Sequence, residues 1–138
     1  MQIFHELTIK TKGQGLYNFT KETTDWIRKQ KIKNGILNLN ILHTSASLTI
    51  QENADPDVLY DIKIFFDKLV PMNNDIYKHT TEGIDDMPAH LKAMLTNTQL
   101  TLSVKNKRPI LGTWQGIYLF EHRLENQERK ISYHLMGD

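Results

Sequence analysis

Three histidines are spaced so that they could do chemistry together. His43 heads the run "HTSAS", His79 stands three residues before Glu82-Gly83, and His90 follows Asp85-Asp86. The chain has no cysteine, so imidazole and carboxylate are its strong metal ligands. Three imidazoles from three separate elements can converge on one divalent ion and leave a position open, the arrangement of catalytic zinc sites. Glu82 and Asp86, beside them, are candidates for the base that takes a proton from a bound water. The competing reading is three independent histidines, because no H-x-H or HExxH pattern ties two of them to one element. The other three, His5, His122 and His134, fall in strand patterns and read as sheet residues; His122, between Glu121 and Arg123, is the one to watch.

Two more stretches carry polar groups where packing residues would be expected. In "LGTWQGI", Gly112 and Gly116 bracket Thr113, Trp114 and Gln115. The glycines permit a sharp bend, Thr113 and Gln115 offer neutral hydrogen bonds, and Trp114 offers a stacking face or a packing surface. In "HTSASLTIQENADPD", Thr44, Ser45 and Ser47 replace strand-forming Val or Ile and are expected to line a cleft beside His43. Asn53, Asp55 and Asp57 are able to orient histidine N–H groups, or Asp55 simply caps a helix and Asp57 meets its dipole.

The elements that must position these groups follow from periodicity. "IFHELTIK" alternates with Ile3, His5, Leu7 and Ile9 on one face of a strand. Phe19, Thr23, Trp26, Ile27 and Gln30 recur at helical spacing, with Asn18 or Thr20 able to cap. Leu37, Leu39 and Ile41, then Ala46, Leu48 and Ile50, form the apolar faces of two further strands. Asp55-Pro56 starts a helix whose stripe of Val58, Ile62, Phe65, Phe66 and Leu69 is expected to be buried. Pro71 to Asp86 reads as a long loop, Pro88 opens a short helix, and "QLTLSVK", "GIYLFEHR" and "RKISYHLM" read as strands. Hairpins late and helices early predict an α+β class: mixed, mostly antiparallel sheets packed together with three short helices, in one domain over residues 1–138.

Seventeen basic residues against 16 acidic give a formal net charge of +1, which supplies no general attraction to nucleic acid or anionic membrane. The basic runs "RKQKIK" (Arg28 to Lys33) and "KNKR" (Lys105 to Arg108) lack interleaved aromatics and read as solvated turns. "MQIFHELTIKTKG" has no apolar core of a signal peptide, and no apolar run reaches membrane-span length, so a cytoplasmic protein is expected.

"HTSASLTIQENADPDV", "HTTEGIDDMPAHLKA" and "LGTWQGIYLFEHR" together resemble the YjbQ-like family, also called the secondary thiamine-phosphate synthase family, in order and over essentially the whole chain. The resemblance implies an α+β fold with packed sheets, a homotrimer, and an active site near the subunit boundaries. It also implies weak thiamine-phosphate synthase activity beside a principal role that is poorly defined. By position it makes His43, His79 and His90 the metal-site candidates, and it places the family's "GTWQG" on Gly112 to Gly116 and its "EHR" on Glu121 to Arg123.

Joining a pyrimidine diphosphate to a thiazole phosphate needs stabilisation of diphosphate, and Arg123 is the candidate residue. Three imidazoles suit Zn²⁺ better than Mg²⁺, which would be the ion if thiamine-phosphate synthesis is genuine. Metal-assisted hydrolysis of a small ester or phosphate is the alternative reaction, and a non-catalytic module for a small anionic metabolite is the third reading.

Overall fold

The computed structural model describes residues 1–138 as two antiparallel sheets and three α-helices. The elements in chain order are β1 (Gln2–Lys12), β2 (Gly15–Asn18), α1 (Thr20–Lys29), β3 (Gly35–Ile41), β4 (Ala46–Glu52) and α2 (Pro56–Leu69). A 3₁₀ turn (Asn74–Ile76) and α3 (Asp86–Leu95) come next, then β5 (Gln99–Lys105), β6 (Arg108–Pro109), β7 (Gln115–Glu121) and β8 (Asn126–Gly137). One sheet has five strands in the order β1-β8-β3-β5-β6, and the other has three in the order β2-β7-β4. This is the α+β architecture expected from the pattern of strands and helices, and no helix is long and apolar enough to cross a membrane.

The period-2 alternation decides which residues the sheets bury. Leu37, Leu39 and Ile41 of β3 share a face with Ile131, Tyr133 and Leu135 of β8 and with Leu100 and Leu102 of β5. Ala46 and Leu48 of β4 and Ile117 and Leu119 of β7 close the core from the smaller sheet. α1 covers the rest of that inner face, where the Thr23 hydroxyl meets Tyr133 Oη at 2.7 Å and Trp26 packs edge-on against the Tyr133 ring. Register at the far end of β3 requires glycine: a Cβ on Gly35 would lie 1.9 Å from the carbonyl oxygen of Met136 in the neighbouring strand.

Helix α2 departs from expectation. Asp55 caps it, accepting from Asp57 N–H at 2.9 Å with Pro56 at the first position, as the sequence implies. Yet none of its residues is buried, and Phe65 and Leu69 of the anticipated buried stripe are exposed. The helix lies on the outer side of the three-stranded sheet, touching it through Phe66 against Phe120 and tied to α3 by Lys92 Nζ, which donates to Asp67 Oδ1 at 2.6 Å. One chain supplies nothing to cover its other side. α3 begins at Asp86, two residues earlier than Pro88, and this brings Asp86 and His90 onto one helix face.

Candidate metal centre

The loop before α3 and the first turn of that helix build the site. Asp86 is the helix's first residue, where the dipole favours a carboxylate, and His90 stands one turn later on the same face. Gly83 turns the preceding loop at φ +107, a conformation glycine adopts freely, and the loop carries His79 back over the helix start. The result is a tight cluster. His79 Nε2 lies 2.5 Å and His90 Nε2 3.1 Å from the same oxygen, Asp86 Oδ2. The three ligand atoms of His79, Asp86 and His90 all fall within 4.8 Å of one another. Glu82 Oε2 is 3.4 Å from His79 Nε2 and is largely exposed.

Arg123, in the loop that follows β7, fixes this arrangement from behind. Its Nη1 donates to Asp86 Oδ1 at 2.7 Å, its Nε to Asp85 Oδ2 at 2.8 Å, and its Nη2 to the Glu82 carbonyl at 2.9 Å. Burial resists ionisation of Asp85 and Asp86 but is outweighed, at Asp85 by hydrogen bonds from Leu124 N–H and Arg123, and at Asp86 by the hydrogen bond from His79 and the nearby Arg123 charge. Both carboxyls are therefore held below the usual range. The hydrogen bond to Asp86 raises His79 above the ordinary imidazole value.

The protonation pattern of His90 is the informative detail. Its Nδ1 lies 2.9 Å from the carbonyl oxygen of Thr44, which can only accept, so Nδ1 carries a proton. In neutral imidazole Nε2 then presents a lone pair to a carboxylate oxygen 3.1 Å away. Two lone pairs face each other unless a cation lies between them, whether a proton or a metal ion. A second ring nitrogen tied to a backbone carbonyl is also how metal-ligating histidines are held.

The other anticipated residues fall elsewhere. His43 does not join His79 and His90: its Nε2 accepts the backbone N–H of Lys130 at 2.8 Å, and it lines a neighbouring cavity with Thr44. Ser45 and Ser47 are not cleft residues. Ser45 receives Arg129 Nη2 on its hydroxyl at 3.0 Å and its carbonyl at 3.2 Å, while Ser47 is buried against His122 Nε2 at 2.9 Å. Asn53, Asp55 and Asp57 orient no histidine; they lie where β4 ends and α2 begins.

Thr113, Trp114 and Gln115 are beside them, six residues along β4 and β7 from the histidine end, roughly 20 Å at strand rise. There Gln115 Oε1 accepts Gly112 N–H at 2.7 Å, and Asn53 Nδ2 donates to the carbonyls of Thr113 and Gln115 at 3.2 and 3.3 Å. Trp114 is exposed above Ile50 and Val58.

Two buried networks frame the histidine end; His122 stands out in the sequence, whereas the Glu121–Arg129 pair does not. Glu121, fully buried at the end of β7, takes Arg129 Nε at 2.7 Å and Nη2 at 2.5 Å, and accepts from the Thr11 hydroxyl at 2.6 Å. Behind it His122 is 1% exposed, and its Nδ1 has no hydrogen-bond partner. Burial, reinforced by the Lys92 and Arg129 charges, pushes the His122 ring down to about 3. The signal in the sequence for the His79–Asp86–His90 cluster is the Asp86–His90 spacing of four residues, which places both side chains on one helix face.

Comparison with known proteins gives a consistent match. The family model for UPF0047 protein YjbQ-like covers residues 5–138. The chain is 46% identical over 132 residues to UPF0047 protein sll1880 of Synechocystis sp., covering 96% of this chain and 90% of that one. It is 44% identical to UPF0047 protein YjbQ of Salmonella typhimurium, covering 96% of each. Among solved structures, an uncharacterized conserved protein of the YjbQ/UPF0047 family from Clostridium acetobutylicum superposes with a TM-score of 0.87 at 34% identity, covering 96% of this chain and 99% of that one.

Proposed function

We propose, for a chain that belongs to the UPF0047 YjbQ-like family, that His79, Asp86 and His90 hold one divalent metal ion at the centre of a small enzyme. The observation that carries this reading is His90 Nε2, aimed at Asp86 Oδ2 while Thr44 holds the proton on the other nitrogen. Two imidazoles and one carboxylate suit Zn²⁺, and Fe²⁺ shares the preference, whereas Mg²⁺ favours oxygen alone. A bound Zn²⁺ would supply a water of near-neutral pKa. Arg123 keeps Asp86 oriented, and exposed Glu82 is the base for that water's proton.

This supports metal-assisted hydrolysis of a small ester or phosphate over thiamine-phosphate synthesis as the main reaction. Three of the five N–H donors of Arg123 are already engaged by Asp85, Asp86 and the Glu82 carbonyl, which commits it to holding the loop and leaves at most one N–H on each Nη for a diphosphate. Thiamine-phosphate synthesis remains a side activity in this account.

Calorimetric titration of the full chain tests the reading. Zn²⁺ is expected to bind one site per chain with release of protons, and a hundredfold excess of Mg²⁺ should not displace it. Glu82→Gln should keep the metal and lower kcat for a p-nitrophenyl ester by 10²-fold or more. Tight Mg²⁺ binding, or full activity in Glu82→Gln, would favour the transferase.

The homotrimer belongs to the same proposal. Support comes from α2, whose Phe65 and Leu69 lack cover, and from Trp114 on the same flank. Sedimentation equilibrium at micromolar concentration should return three chains, and a stable monomer removes the claim.

A further inference from the structure

His43 is left out of the metal cluster, and its one hydrogen bond defines what it can do instead. The backbone N–H of Lys130 donates to Nε2 at 2.8 Å, and an amide N–H cannot accept. Neutral His43 therefore carries its proton on Nδ1, which makes no hydrogen bond within the protein. Burial and the Arg129 guanidinium both disfavour a charged ring. His43 lines an open cavity of about 310 Å³ with Thr44, His90, Ala93, Met94 and Thr98. That is the small end of the roughly 300–1,000 Å³ range of ligand sites. No lysine, arginine, aspartate or glutamate lines it, so an anion placed there finds no ion-pair partner on the cavity wall. Ala93 and the adaptable Met94 give an apolar wall, and His90 is common to the cavity and the metal cluster.

We propose that this cavity is the subsite for the uncharged end of the substrate: a small planar group with an apolar body and one hydrogen-bond acceptor, which takes the Nδ1–H of His43. The proposal rests on the metal reading only for where the reacting end lies, which is across His90. His43 is a recognition residue in this account, and the charged or reacting portion of the substrate faces Asp86. The specificity follows from chemistry. A neutral amide carbonyl satisfies the donor and leaves its ring on Met94, whereas a carboxylate of the same shape brings a charge that no lining residue pairs with.

Benzamide and benzoate are the matched probes, titrated into the full chain with and without Zn²⁺ and followed by ¹H–¹⁵N correlations of the histidine rings and by the Ala93 and Met94 methyl signals. Benzamide should shift His43 Nδ1 and both methyls saturably, with benzoate at least tenfold weaker. Met94→Trp, at a side chain 82% exposed, should fill the mouth without disturbing the fold, weakening benzamide at least tenfold while Zn²⁺ content is unchanged. His43→Phe should weaken benzamide similarly; if it does not fold, Met94→Trp decides alone. Benzoate binding as well as benzamide, no saturation by about 10 mM, or undiminished binding in Met94→Trp would overturn the assignment. Benzamide binding in a protein that takes no Zn²⁺ would condemn the metal reading and leave this one standing.

Discussion

The two ends of the three-stranded sheet drew equal notice as sequence, and they differ in one physical respect. At the Gly112–Gly116 end the amide side chains close on the loop's own backbone: Gln115 on Gly112, and Asn53 on the carbonyls of Thr113 and Gln115. At the other end His79 and His90 meet on one oxygen of Asp86, and the His90 nitrogen that faces it is the one Thr44 leaves without a proton in the neutral ring. A loop whose hydrogen bonds close on themselves is explained by its own geometry. A cluster that brings two imidazoles onto one carboxylate oxygen is not, and that convergence is the functional clue.

That contrast can be broken by experiment. The largest effect is expected behind the histidine end, where Glu121 is fully buried and Arg129 supplies its counter-charge. Arg129→Met should lower unfolding free energy by about 3–5 kcal/mol, measured by urea titration, because it strands a buried carboxylate. A change below about 1 kcal/mol would mean that water reaches Glu121.

Acid should act on the same end. His122 titrates at about 3 in the folded chain against about 6.5 unfolded, so between these values the unfolded state binds more protons. The contribution is fully present above pH 6.5 and is lost as pH falls towards 3, with a slope approaching about 1.4 kcal/mol per pH unit. Comparing urea midpoints of the parent and His122→Gln across this range isolates the term; parallel profiles would refute it.

At the Gly112–Gly116 end the effects should be small. Asn53→Ala removes two long, exposed hydrogen bonds and should cost about 0.5–1.5 kcal/mol in a thermal melt, with metal content untouched. Trp114→Phe, at an exposed ring, should stay within about 0.5 kcal/mol of the parent by the same melt. If either variant loses metal, the two ends are coupled and the contrast fails.

What the sequence made legible was whatever depends on local period. The alternation in β3, β5 and β8 names the core residues, and Asp55-Pro56 names the start of α2. What it hid depends on contacts distant along the chain. Ser45 and Ser47 read as cleft hydroxyls because nothing local announces Arg129 or His122, 84 and 75 residues away, as their partners. The apolar stripe of α2 reads as buried because a single chain's pattern does not say whether its cover comes from the same molecule. His79 and His90, both candidates from the sequence, are brought together with Asp86, and His43 stands apart from them. The spacing of four between Asp86 and His90 is local and puts both on one helix face, whereas the return of His79 onto them depends on the loop's fold.

Metal content of four variants tests the central claim most directly. The full chain, purified without chelator and offered Zn²⁺, should hold one ion per chain by elemental analysis. His79→Ala, His90→Ala and Asp86→Ala should each lose at least nine-tenths of it, while His43→Ala keeps it. Equal metal in all four variants, or none in the parent, would contradict the account.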